Sequence, residues 1–167
     1  MAAGSTYTPI ATTTLGSAQA SYTFSSIPST YTDLILIAGN LNAASASNAF
    51  KMQVNGDTGT TYSNTYLSGN GSSATSGRNS NADSLRGFDN PNIIGPAVVT
   101  AHFMNYSNTT TYKTVLTRCS AAGYSATAEV NLWRSTAAIN SIKIFFAASG
   151  NDIQAGSTFT LYGIQAA

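Results

Sequence analysis

The sequence predicts an all-β chain, an antiparallel β-sandwich of jelly-roll-like type with about eight to ten strands. Three observations predict it. The apolar runs are short, rich in Thr, Tyr, Val, Ile or Phe, and bounded by Gly, Asn, Ser or Pro. Several of them alternate apolar and polar residues, the period of a strand with one face in a core. No stretch keeps the i, i+3, i+4 apolar spacing that a substantial helix needs. At 167 residues the chain is expected to form one domain, 1–167, without a tandem repeat or a linker.

The elements follow in order. Tyr7 to Leu15 is the first strand. Ala20 to Phe24 is the second, with Ala20, Tyr22 and Phe24 on one side and Ser21 and Thr23 on the other; Ser25 to Ser29 turns the chain. Asp33 to Leu41 contains Leu34, Ile35, Leu36 and Ile37 in succession, so both of its faces are apolar and both are expected to be covered, one by the opposite sheet and one by a loop or a neighbouring subunit. Ala49 to Val54 turns Phe50, Met52 and Val54 inward, with Lys51 and Gln53 outward. Asn55-Gly56-Asp57 is a tight-turn signal and predicts a hairpin. Thr60 to Leu67 then returns with Tyr62 and Tyr66 on one side.

Between Ser68 and Asn92 the pattern dissolves into Ser, Asn and Gly, with Leu85 and Phe88 the large apolar exceptions. This predicts a long loop over 68–92, and long loops in compact domains are often functional. Ala97 to Asn105 resumes the alternation and buries Val99, Ala101 and Phe103. Tyr112 to Cys119 is a strand whose inward face is ambiguous. Ala126 to Arg134 is expected to bury Ala128, Val130 and Leu132 and to turn Glu129, Asn131 and Trp133 the other way. Ile139 to Ala147 buries Ile142, Ile144 and Phe146, and Ser157 to Ile164 closes the fold with Phe159 and Leu161 on one face.

Composition narrows the function classes. Only 8% of the residues are charged, against 43% hydrophobic, and the net charge is +1. That is about a third of the usual charged share; Ser, Thr and Asn fill the polar positions instead. Catalytic sites are usually assembled from titratable groups, and few are present. The charges are scattered singly, so no basic stripe exists to displace counterions from nucleic acid. The apolar run Leu34–Ala38 is far too short to span a bilayer, and Met1–Ser5 has neither the basic start nor the apolar core of a signal peptide. A near-neutral surface opposes association weakly, which suits a chain that works inside an assembly.

Individual candidates carry little chemistry. Cys119 is the single cysteine, expected as a small buried residue. His102 is the single histidine and has the parity opposite to Val99, Ala101 and Phe103, so it belongs on a surface or interface; a metal would need partners that are missing. Asn55 to Gly59 lacks the alternating ligands and terminal Glu of a calcium loop. Asp83 and Asp89, with loop backbone, are the remaining oxygen ligands for a cation and the remaining acids for glycan hydrolysis. Asn70, Asn105 and Asn108 match the glycosylation triplet by composition alone. No cofactor is expected. Tyr62, Tyr66, Phe88 and Trp133 are candidate contact aromatics, because rings bury large area with little entropy loss.

Several short phrases carry a likeness: Tyr7-Thr8-Pro9-Ile10-Ala11, Thr14-Leu15-Gly16-Ser17, Tyr22-Thr23-Phe24-Ser25-Ser26-Ile27-Pro28, Tyr31-Thr32-Asp33-Leu34, Val54-Asn55-Gly56-Asp57, Tyr62-Ser63 and Leu161-Tyr162-Gly163-Ile164. In wording and order the chain resembles a family of small bacteriophage virion proteins, best known from marine and cyanobacterial phages. The resemblance implies a jelly-roll-like β domain on the virion, without catalytic residues. It would serve as a capsid decoration (cement) protein on the head, or as a tail-fibre or receptor-binding protein that meets host glycan. The implied partners are its own copies in a homotrimer and the major capsid protein or tail proteins of the virion. Neither nucleic acid nor membrane is an expected partner.

Overall fold

The computed structural model describes residues 6–45, 48–90, 96–121 and 123–165. The leader reading of Met1–Ser5 and the end of the expected loop, Pro91–Asn92, lie outside them. Twelve strands form: β1 (Tyr7–Thr14), β2 (Ser21–Phe24), β3 (Asp33–Leu41), β4 (Asn48–Val54), β5 (Tyr62–Gly69), β6 (Ala74–Ala82), β7 (Leu85–Asn90), β8 (Ala97–Met104), β9 (Lys113–Ala121), β10 (Ser125–Trp133), β11 (Ile142–Phe146) and β12 (Thr158–Ile164). All described pairings are antiparallel. One sheet has eight strands in the order β1-β12-β3-β8-β9-β10-β5-β6, and the other has four in the order β2-β11-β4-β7. The chain is an all-β sandwich of two antiparallel sheets.

The core lies between the sheets. From the large sheet come Leu34, Leu36, Ala101, Phe103, Phe159 and Leu161; from the small sheet come Phe50, Met52, Val54, Ile142 and Ile144. Each is essentially inaccessible to water, and burying one such aliphatic or aromatic side chain is worth about 1.5–3 kcal/mol. Rings lock the far end: Phe50 stacks on Phe88 at 5.8 Å between centroids, and Phe146 meets both edge-on. The alternation read in Phe50, Met52 and Val54, in Val99, Ala101 and Phe103, and in Phe159 and Leu161 is the alternation that the sheets use.

The stretch 68–92 is not a loop. It holds β6 and β7, and these two raise the strand count to twelve. β6 is exposed along nearly its whole length, so no core imposes a hydrophobic alternation on it. It is held by pairing with β5 and by its turn, where the Asn70 side-chain oxygen accepts from the Ser72 and Ser73 N–H groups at 3.0 and 2.8 Å. β7 escapes for the opposite reason: Leu85, Arg86, Gly87 and Phe88 are all buried, so polar and apolar positions cannot be told apart by exposure.

A second correction concerns β10. Ser125, Thr127, Glu129, Asn131 and Trp133 face inward, while Ala128 and Val130 are exposed. The expected parity was the reverse. The inward polar groups find partners on other strands, Asn131 and Glu129 on β7 and Thr127 on β5, which a one-strand reading cannot supply.

Asn55 and Gly56 take φ of 53° and 69°, and the Asp57 N–H donates to the Val54 carbonyl at 2.9 Å. Positive φ at both central positions is the type I′ turn. It does not close the predicted hairpin, because β4 pairs with β11 and β7 while β5 pairs with β10 and β6. The turn instead passes the chain from one sheet to the other. Asp57 fixes that crossing: its Oδ2 accepts from Trp133 Nε1 and Thr61 Oγ1, both at 2.7 Å, and its Oδ1 accepts from the Gly59 N–H at 2.8 Å. Its carbonyl accepts from the Tyr62 hydroxyl at 2.9 Å.

The Trp133 bond above all holds the Asp57 carboxyl below its ordinary value of 3.8; burial opposes this, and the Thr61 and Gly59 bonds reinforce it. A carboxyl depressed in the fold binds fewer protons folded than unfolded as the medium acidifies, so its contribution is full above 3.8 and is lost as the pH falls through its folded value. Asp57→Ala is expected to lower stability by about 1–3 kcal/mol at pH 7. In urea titrations the gap between wild type and variant should narrow as the pH drops below that value, and a gap that widens in acid would refute this assignment.

Candidate functional site

The four-stranded sheet covers only the inner face of the eight-stranded one. The outer face is left to solvent, and its side chains form rows set by the strand register. One row runs Tyr162, Ile35, His102, Leu116, Val130, Thr65, Arg78 across β12, β3, β8, β9, β10, β5 and β6. The next runs Thr160, Ile37, Thr100, Arg118, Ala128, Leu67, Ser76. At the usual interstrand spacing the eight strands present a face about 34 Å wide.

This face is apolar where solvent would favour polar groups. Leu67 is 60% exposed, Val98 47%, Val130 45% and Leu116 43%. Over β9, β10 and β5, Leu67, Leu116 and Val130 border a shallow depression of about 650 Å³, lined also by Thr65, Arg118 and Ala128 among others. Few charges interrupt it. His102 Nε2 and Asp33 Oδ2 are 2.8 Å apart, and the other Asp33 oxygen accepts from the Asn105 N–H at 2.6 Å. That pair is self-satisfied at one end of the face, and Arg118 and Arg78 stand exposed elsewhere on it. The second cover expected for the apolar strand Leu34–Ala38 is not supplied by the described residues: Ile37 is exposed and Ile35 half-buried.

Three of the four candidate contact aromatics are not on this face, and the fourth, Tyr66, touches the depression only at its margin. Tyr62, Phe88 and Trp133 are buried, which corrects the expectation that they form a contact surface. The reason is parity. Tyr62 shares the inward side of β5 with Asn64, and Trp133 shares the inward side of β10 with Glu129 and Asn131. Tyr62 and Trp133 stack on each other with 6.5 Å between centroids. Tyr66 is half-buried at the margin, with the Arg86 guanidinium 4.1 Å from its ring centroid. The same ring lies against Gly77 of β6, where a Cβ would come within 2.7 Å of it. The exposed residues that do mark the face, Leu67, Leu116 and Val130, carried a signal in the sequence. They are apolar residues whose parity depends on partners several strands away.

Beneath Tyr66 lies a buried polar contact between the sheets. Arg86 Nε and Glu129 Oε1 are 3.5 Å apart, with both side chains almost wholly enclosed. The Arg86 N–H donates to Asn131 Oδ1 at 2.8 Å, and its carbonyl accepts from Thr117 Oγ1 and Asn131 Nδ2 at 3.0 and 3.1 Å. Cys119 lies near this charge. Burial first and the Glu129 carboxylate second push its thiol up to about 12, so at neutral pH it is protonated and a poor nucleophile. Lys113 is also enclosed, its Nζ donating to the Thr111 and Thr136 carbonyls at 2.7 and 3.2 Å, and burial lowers its pKa.

A polar recess of about 520 Å³ opens beside this contact, lined by Lys51, Asn64, Asn79, Asp83, Ser84 and Arg86 among others. Asp83 is tied inside it: Oδ1 accepts from Ser84 Oγ at 2.7 Å and from Lys51 Nζ at 3.2 Å. Those bonds, Ser84 first, hold its carboxyl below the ordinary value. The side chain of Asp89, its proposed companion for a cation or for hydrolysis, lies outside the described residues. Among the described residues no three His, Cys, Asp or Glu side chains gather as a metal site. Asn70 and Asn108 use their side-chain oxygens to cap turns. No family model matches the chain, and no curated protein matches it.

Removing one member of a buried ion pair leaves the other charge stranded and costs about 3–5 kcal/mol. Arg86→Met is therefore expected to lower the denaturation midpoint sharply. Arg86→Met combined with Glu129→Gln should recover most of the loss. A double variant no more stable than the single one would show that Arg86 acts through packing on Tyr66 alone.

Proposed function

We propose that the chain is a non-enzymatic virion structural protein, a capsid decoration or cement protein that binds and stabilises the head shell of a bacteriophage. The observation that carries this reading is the outer face of the eight-stranded sheet, which leaves Leu67, Leu116 and Val130 exposed as neighbours on β5, β9 and β10. Soluble chains rarely leave a contiguous apolar patch of that kind without a partner. The resemblance in phrasing to small phage virion proteins supplies the setting. In this reading the face is where copies of the chain meet one another, as a homotrimer, and where they meet the major capsid protein. Many copies share the load of the shell, so modest affinity at each contact suffices.

A second reading draws on a different observation. The recess around Asn64, Asn79, Lys51 and Asp83 offers amide, ammonium and carboxylate groups within one hollow, which matches the donors and acceptors of sugar hydroxyls. It fits a tail-fibre or receptor-binding protein that holds host surface glycan.

Labelling of intact particles separates the two: the head reading expects label over the shell in many copies, and label confined to the tail would overturn it in favour of the second. Sedimentation at micromolar concentration is expected to show a trimer, and a lone monomer would count against self-association. Leu116→Ser combined with Val130→Ser should leave the thermal melt close to wild type, because both side chains are exposed. The same variant should weaken attachment to stripped shells by about tenfold or more, the value of removing one or two apolar side chains from a contact. Undiminished attachment would exclude this face.

A further inference from the structure

We propose that the free edge of β6 is a strand-addition site for an extended segment of a partner protein that carries a carboxylate opposite Arg78. This goes beyond the function proposed above and does not require the outer face to be a contact surface.

Each sheet ends in two edges, and an edge strand is a ready template for another strand unless it is blocked. Three of the four are blocked. β1 carries Pro9 and a register irregularity between Pro9 and Ala11. β2 is four residues long. β7 lies with its open side toward the large sheet, where the Arg86 N–H and carbonyl are bonded by the Asn131 and Thr117 side chains. β6 differs in that its one register irregularity lies at its far end. It is nine residues long, has no proline and carries one charge, Arg78. From Ala74 to Asn79 it keeps step with β5, and its irregularity falls beyond, near Asn81 with φ 72°. Among the described residues no backbone hydrogen bond reaches its outer edge.

Charge decides the occupant. Arg78 is exposed and makes no ion pair among the described residues. A second copy of this chain is a poor occupant. Antiparallel pairing of two β6 strands about their centre sets the two Arg78 side chains opposite each other, or on the adjacent diagonal if the axis passes through Gly77. Like charges so placed destabilise a sheet pair, and an opposite charge stabilises it. Arg78 therefore discourages self-pairing and selects an incoming strand with an acidic residue at that register. Ser76 and Ala74, its small neighbours on the same face, leave room for larger apolar side chains on the added strand. Main-chain hydrogen bonds supply affinity in this mode of recognition, and alternate side chains supply choice.

The test uses the full chain and a labelled nine-residue peptide of threonine and valine with a central glutamate, beside the same peptide with a central lysine. The expected result is binding with amide shifts confined to β6 and β5. The glutamate peptide should bind about fivefold or more tightly than the lysine peptide, and Arg78→Glu should invert that order. Thr75→Pro and Ser76→Pro remove adjacent N–H groups that point to opposite edges. The one that keeps the native melt should abolish peptide binding. Shifts outside β6 and β5, no charge preference, or a dimer of the wild-type chain with newly protected β6 amides would each overturn the proposal. Failure of the wild-type chain to bind either peptide, with normal attachment to particles, would overturn this inference alone and leave the proposed function standing.

Discussion

A sheet has two faces, and in this chain one four-stranded sheet must serve an eight-stranded one. The inner faces find each other, and the buried side chains between them make the core. The outer face of the large sheet has no such partner among the described residues. A free globular domain resolves this by alternating apolar and polar residues along every strand. Here the alternation is incomplete: Ile37, Val98, Leu116, Val130 and Leu67 all point outward from consecutive parts of the sheet. The functional reading follows from this imbalance between the layers, more than from any single residue.

The same imbalance explains why the interior is not uniformly apolar. β7 must close the small sheet against the middle of the large one, and its last pairing partner is β4. Its other edge would bury unpaired backbone groups, which cost free energy unless hydrogen-bonded. Asn131 meets both the N–H and the carbonyl of Arg86, and Thr117 meets the carbonyl a second time. The inward polar residues of β9 and β10 thus stand in for a strand that is not there. Glu129 then balances the charge that Arg86 brings into the same space. Gly77 allows Tyr66 to lie flat enough to cover that pair from the margin.

Most of the fold was legible from periodicity, and the failures share a cause. β4, β8, β11 and β12 bury large apolar residues at alternate positions, so each declares its inward face alone. β10 does not, because Ala128, Val130 and Leu132 look like the core while Asn131 and Glu129 hold positions that only β7 makes sensible. The Asn55-Gly56 turn was legible as local chemistry, but which strand follows it into which sheet depends on long-range pairing. β6 was illegible because an edge strand exposed on both faces has no core to pattern it. The candidate site suffered most. Aromatic residues were the natural choice for contact, yet Tyr62, Phe88 and Trp133 are used to fill the interior, and the face is marked by aliphatic residues instead.

The placement of charge completes this picture. The sequence has thirteen charged side chains, already few. Arg86, Glu129 and Lys113 are enclosed in the interior, and Asp57 is committed to Trp133 and Thr61 at the crossing between sheets. Asp83 is tied to Ser84 and Lys51, and Asp33 to His102 and Asn105. The surface is therefore poorer in free charge than the composition alone implies. Long-range fields do little to steer or repel a partner of such a surface, so shape, apolar area and backbone edges are left to set what it adheres to. Among the described residues the cations on the outer face without an ion pair are Arg118 and Arg78, and each gains weight from the scarcity of charge around it: one polar contact there discriminates among partners against a weak electrostatic background.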